Sequence, residues 1–200
     1  RQAPDCIMIG EIRDRETMTS AISYALSGHL VLSTLHANNS YHALGRILSF
    51  YTPEARPALL ADLGAGLRSI VSQRLVRGVA GGRLPAVEVM LNTKLVSELI
   101  ERGDFSGVKE AMEKSLAEGS PTFEPALARL IAADTITRDE GLAYADSPTN
   151  LMWRLQNDTE PAIRIVPKKE EQDDQPAYTE ITIDVRAEEA TTLSPSMRRF

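Results

Sequence analysis

The first 35 residues carry the order strand, crossover, strand, which commits this part of the chain to a parallel sheet. Cys6-Ile7-Met8-Ile9 is a short apolar run, of the length that suits a strand buried on both faces in a parallel sheet. Arg15 to Ser27 places Met18, Ala21, Ile22, Ala25 and Leu26 at helical spacing. That is one apolar stripe on a helix that Gly28 can end. Leu30 to Leu35 is a second short apolar run. Two strands joined by a helix of this size form a right-handed β-α-β unit with parallel strands. Cys6, inside the first run, is expected to be a small buried hydrophobe rather than a reactive thiol.

A helix starting at Asn38 or Asn39, either a good N-cap, is expected to carry Leu44, Ile47 and Leu48. Phe50 to Pro57 reads as a proline-bounded loop, followed by a helix with Leu59, Leu60, Leu63 and Leu67 on one side. Ser69 to Arg77 and Leu84 to Leu91 flank Gly78, Gly81 and Gly82, the pattern of a β-hairpin with a loose turn. From Thr93 the chain reads as helical, over Lys94 to Arg102, Val108 to Ala117, Phe123 to Ala133 and Arg138 to Ala145. A last helix, Asn150 to Leu155, carries Trp153. Leu127, Leu130 and Ile131 form a core stripe. Thr137 with Glu140 has the spacing of a capping box, and Ser120-Pro121 and Ser147-Pro148 read as an N-cap followed by proline. Beyond Gln156 charge and proline dominate, and a flexible tail is expected; Tyr178 to Val185 alternates like a lone strand.

With 200 residues the chain can form one domain with a core, or one and a half. The net charge of −6 argues against a nucleic-acid binder held by a broad basic surface. No apolar run approaches a membrane span and no signal-peptide pattern opens the chain, so a cytoplasmic protein is expected. The single cysteine rules out an internal disulfide and a cysteine-based zinc site. Arg1 stands where an initiating Met would, almost inside a core strand, and the chain is read as the C-terminal part of a longer one.

Parallel strands joined by a crossover helix end on the same sheet edge, where open α/β sheets bind ligands. Glu11 follows the first run directly and His36 follows the second just as directly. The topology therefore sets the two side by side. A carboxylate at a strand exit is costly unless something charged uses it. With an imidazole beside it, it suits phosphoryl transfer: the carboxylate orients or deprotonates water, and the imidazole meets the terminal phosphate. The bland alternatives are a polar loop glutamate and a hydrogen-bonded structural histidine. His29 reads as a hydrogen-bonding residue near the helix-to-strand turn and His42 as a surface residue. The six-residue spacing of His36 and His42 does not put two ligands on one helical face.

Arg1-Gln2-Ala3-Pro4-Asp5, Ile7-Met8-Ile9-Gly10-Glu11-Ile12-Arg13-Asp14, Gly28-His29-Leu30 and Thr34-Leu35-His36-Ala37 together resemble the Walker B and His boxes of the secretion and type IV pilus ATPases. Gly10 follows that family in standing where many Walker B motifs carry Asp. Within the family the chain resembles the pilus retraction motors of the PilT/PilU type, and PilU more. Ile70-Val71-Ser72-Gln73-Arg74-Leu75, then Ala86 to Thr93, then Pro121-Thr122-Phe123-Glu124 and Asn150-Leu151 fit that branch. Leu95 to Ile100 occupies the place of its Ala-Ile-Arg-Asn-Leu-Ile box and matches it partly. The four-cysteine zinc element of assembly and secretion motors is absent. The resemblance covers roughly residues 1 to 155.

The resemblance implies an α/β fold: the C-terminal part of a RecA-like P-loop ATPase core over 1–92 and a helical subdomain over 93–156; the tail over 157–200 lies outside it and is expected to be disordered from its composition. It implies Glu11 as catalytic carboxylate, holding Mg²⁺ through water, and His36 as phosphate-facing histidine. Gly10, Arg13, Asp14 and Thr34 would join the ATP site. It implies ATP hydrolysis that powers pilus retraction and twitching motility, in a homo-hexamer working beside a paralogous retraction ATPase. That hexamer would sit at the inner-membrane base of the pilus on a platform protein. The phosphate-cradling loop G-x-x-x-x-G-K-[ST] is absent from these residues, so the chain alone is expected to bind nucleotide poorly. A non-catalytic interaction module and a type II secretion ATPase are the rival readings. Arg13 and Asp14 are read as ion-pairing across a subunit interface or locally. Arg68 and Arg74 are read as reaching a neighbouring subunit's phosphate or as solvated. The acidic run Glu170 to Asp174 is read as a solvated linker.

Overall fold

The expected crossover is present. A computed structural model describes residues 4–114 and 121–157, all within one compact unit. Strand β1 (Cys6–Ile9) and strand β2 (Leu30–Ser33) pair in parallel, from Cys6 opposite Leu30 to Ile9 opposite Ser33. Helix α1 (Arg15–Leu26) crosses between them, with Asp14 as N-cap accepting from the Thr17 amide at 2.8 Å. Gly28 follows its C-terminus at φ +100°, a conformation a side chain would resist, and turns the chain into β2.

The pair is not buried on both faces. Met8 is 76% exposed, Leu30 54% and Leu32 50%, and Cys6 is exposed. Ile9 and Val31, on the other face, pack against the core. An apolar run specifies a strand, but burial depends on what packs over each face. Among the described residues only the Ile9–Val31 face is covered.

Asn39 proves to be the N-cap of α2 (Ser40–Ser49), accepting from the His42 amide at 2.9 Å, and Ala43, Leu44 and Ile47 are buried. The expected Phe50–Pro57 loop is shorter than its prolines suggest. A 3₁₀ turn over Pro53–Ala55 leads straight into α3 (Arg56–Gly66), because proline at a first turn forfeits an N–H that would be unpaired anyway. Leu59, Leu60 and Leu63 are buried on α3.

The hairpin forms as β3 (Ser69–Arg77) and β4 (Arg83–Leu91), antiparallel, with Arg77 opposite Arg83. Five short helices follow: α4 (Lys94–Glu101), α5 (Phe105–Lys114), α6 (Phe123–Ala132), α7 (Arg138–Tyr144) and α8 (Pro148–Asn157). Several boundaries move for identifiable reasons. Helix α5 starts three residues early because the Asp104 carboxylate accepts from the Gly107 amide at 2.9 Å. Pro121 does not open α6; its carbonyl accepts from the Val89 amide at 2.9 Å, and the helix begins after Thr122. The Thr137 hydroxyl accepts from the Glu140 amide, but the Glu140 carboxylate accepts from the Arg77 amide at 2.8 Å, so only half a capping box forms. Ser147 caps α8 as expected, accepting from the Asn150 amide at 3.3 Å.

Two apolar clusters hold these elements. The first joins Ile12, Met18, Leu44, Leu63 and Met90 to Val96, Ile100 and Val108. The second joins Val76 and Ala86 of the hairpin to Phe123, Leu127, Ile136 and Leu151. Among the described residues no helix is long and apolar enough to cross a membrane. The expected tail after Asn157 with its 178–185 strand and acidic 170–174 run, Ser120, and the 115–117 end of the Val108 helix lie outside the described residues.

Candidate active site

β1 and β2 end on one edge, and the residues that leave them meet. After Ile9 come Gly10 and Glu11; after Ser33 come Thr34, Leu35 and His36. The Thr34 hydroxyl donates to the Gly10 carbonyl, and the Ile12 amide donates to the Thr34 carbonyl at 2.9 Å. These bonds extend the strand pairing and hold the two exits together. His36 Nε2 then lies 3.2 Å from Glu11 Oε1. The Glu11 side chain is 20% exposed and that of His36 80%.

Arg13 takes the other carboxylate oxygen. Its Nε donates to Glu11 Oε2 at 2.6 Å, and its Nη2 also contacts that oxygen. The Arg13 hydrogen bond holds the Glu11 carboxyl below the usual glutamate range, with the charges of Arg13, His36 and Arg46 acting in the same direction against partial burial. Glu11 is therefore ionised at neutral pH and has one oxygen turned to His36.

Of the candidate site residues, Gly10, Glu11, Arg13, Thr34 and His36 come together. Asp14 points elsewhere: its carboxylate caps α1, and the hydrogen bonds from Thr17 hold it below its ordinary range. His29 sits at the turn after α1, with Nδ1 at 2.9 Å from Ser27 Oγ and 3.2 Å from the Tyr24 carbonyl. His42 and Arg68 are exposed. Among the described residues no group of three or more His, Cys, Asp or Glu is arranged to hold a metal.

Arg74 is not solvated. Its side chain is 15% exposed, lies over the Phe123 ring at 3.8 Å and pairs with Asp146 at 2.5 Å. It belongs to a polar network behind the His36 loop that sequence reasoning missed. Glu88, 2% exposed, accepts from the Ser40 amide at 2.9 Å and the Ser40 hydroxyl at 2.8 Å. Burial pushes its carboxyl above the ordinary value, opposed by the Ser40 hydrogen bonds. A signal was present: Ala86, Glu88 and Met90 share the inward face of β4, where a charge needs a partner.

A parallel β-α-β unit with a carboxylate and an imidazole on its sheet edge defines an α/β protein with a polar site where its parallel strands end. The chain belongs to the Type II/IV secretion system protein family, whose model matches residues 1–103. It is 45% identical over 152 residues to the type IV pilus ATPase PilU of Pseudomonas aeruginosa, covering 76% of this chain and 40% of that protein. It is 31% identical over 150 residues to the type IV pilus retraction ATPase PilT of the same organism, covering 75% and 44%. The crystal structure of the pilus retraction motor PilT with bound ADP superposes with a TM-score of 0.67 at 29% identity, over 75% of this chain and 42% of that one. The fold is thus that of the pilus retraction motors, and the chain spans less than half the length of these relatives.

Proposed function

We propose that this chain is the Walker B and His-box portion of an ATPase that drives type IV pilus retraction and twitching motility. The observation that carries it is the approach of His36 Nε2 to Glu11 Oε1, 3.2 Å apart at the edge of the parallel pair. In this reading Glu11, kept ionised by Arg13, orients the attacking water and accepts its proton. His36 meets the terminal phosphate through its ring N–H. Gly10 and Thr34 hold the two strand exits in register, Arg13 flanks the nucleotide, and Asp14 caps α1 instead.

One carboxylate at a sheet edge fits a Mg²⁺ ion held mainly by phosphate oxygens and water, with Glu11 in the outer shell. When bound, the ion would neutralise charge on the phosphates. The phosphate-cradling loop would come from a part of the full-length protein other than these residues. The division after Asn92 is then one of role: 1–92 holds the chemistry, and 93–156 passes the nucleotide state toward the pilus base. The working form would be a homo-hexamer on the cytoplasmic face of the inner membrane, against a platform protein and beside a paralogous retraction ATPase.

The test is Glu11→Ala in the full-length protein. ATP hydrolysis should fall by about 100-fold or more, while sedimentation shows an unchanged assembly. Hydrolysis at the native rate would overturn the assignment.

A further inference from the structure

His36 stands at the open end of a loop whose other end is fixed from behind. Asn39 and Ser40, three and four residues on, are 1% and 0% exposed. Three contacts fix them and Asn38. Asn39 Nδ2 donates to Asp146 Oδ2 at 3.1 Å. Arg74 Nη2 donates to the Asn38 carbonyl at 3.1 Å. Ser40 donates to Glu88 from both its amide and its hydroxyl.

Asp146 lies between α7 and α8, more than a hundred residues along the chain from His36. Its two oxygens do different jobs: Oδ2 takes Asn39, and Oδ1 takes Arg74 Nη2 at 2.5 Å. Arg74 Nη1 donates to the Tyr144 carbonyl at 2.6 Å, and the guanidinium rests on Phe123 of α6. Arg74 thus binds the α7–α8 junction and the His36 loop with one planar group. A guanidinium spreads its donors over separate nitrogens in one rigid plane, which the single nitrogen of an ammonium does not. Side chains as little exposed as these, 15% and 18%, keep a pair of this kind in one geometry.

We propose that Asp146 and Arg74 are positioning residues for His36: the α7–α8 junction sets the loop that carries this histidine. The proposal rests on the reading of His36 as the phosphate-facing group. The C-terminal helices then do more than follow the nucleotide state. They hold one of the two groups that define it, so a shift at the α7–α8 junction moves His36 relative to Glu11.

The test uses full-length protein carrying Asp146→Asn, with Arg74→Lys as a second variant that keeps charge and approximate length. Each should lower kcat for ATP hydrolysis about tenfold or more and leave KM for ATP within about twofold, since His36 is one of many nucleotide contacts and its placement matters most at the reacting phosphate. Deuterium exchange should quicken in the peptide 34–42 and stay unchanged across β1 and α3. Glu11→Ala and His36→Ala, run alongside, separate the two ideas. If both hydrolyse ATP at the native rate, the site reading fails. If they lose hydrolysis while Asp146→Asn and Arg74→Lys keep native kcat, or lose it with exchange in 34–42 unmoved, the positioning role is overturned. Loss of the folded state in both Asp146→Asn and Arg74→Lys overturns it as well, because the pair would then hold the fold and not the histidine.

Discussion

Two glutamates in this chain move in opposite directions for opposite reasons. Glu11 is at a sheet edge and accepts hydrogen bonds from Arg13, which lowers its pKa. Glu88 is 2% exposed and rises because burial penalises its charge. For Glu88 the sign gives a stability test. Below the ordinary glutamate value of 4.5 both folded and unfolded chains keep the proton, and the group costs nothing. As pH rises from there toward the raised folded value, the unfolded chain gives up its proton first and stability falls. Glu88→Gln keeps an oxygen for the Ser40 hydrogen bonds and removes the charge. Urea denaturation should show the variant gaining on the native protein as pH goes from about 4.5 to 7. A difference that stays flat over that range would count against a raised Glu88.

At the scale of elements, the caps decide where chemistry-bearing loops end. Asn39 ends the His36 loop and starts α2: its carbonyl oxygen accepts from the His42 amide while its amide nitrogen donates to Asp146. Asn39→Ala therefore loses a helix cap, about 1 kcal/mol, and leaves an oxygen of Asp146 short of a donor. A measured loss in unfolding free energy larger than that of the cap alone is expected, about 2 kcal/mol in all. A loss under about 0.5 kcal/mol would show that neither contact matters. Half of the Thr137–Glu140 capping box is spent differently. The Glu140 carboxylate reaches the last residue of β3, a use that the S/T-x-x-E spacing alone cannot reveal.

At the scale of the molecule, the hairpin is what the two apolar clusters share. Met90 of β4 lies in the first cluster, and Val76 and Ala86 lie in the second. Nine-residue strands paired along their whole length leave no seam between the two. Leu44→Ala in the first cluster and Leu127→Ala in the second should each cost about 2–5 kcal/mol, as both side chains are fully buried. Each should shift a single transition, followed alike by circular dichroism and by Trp153 fluorescence. Separate transitions by the two probes would mean that the clusters melt independently.

Much of the site could be read before folding, because the features involved are local. The strand exits, the crossover helix, a cap at Asn38 or Asn39 and the hairpin follow from apolar period and turn chemistry, and the parallel pairing then forces Glu11 beside His36. Arg74 could not be placed in this way. Its partners, Asn38, Phe123, Tyr144 and Asp146, are 36 or more residues away, and nothing in its neighbourhood distinguishes a solvated arginine from an anchored one. Nor could the burial of β1 be read from its apolar run, since exposure of Cys6 and Met8 depends on what covers that face. The sequence by itself determined the elements, their order and the pair of groups on one sheet edge, through interactions reaching a few residues. Only the tertiary structure decided which polar side chains are enclosed behind that edge, because a buried charge is tolerable only where distant parts of the chain supply its partners.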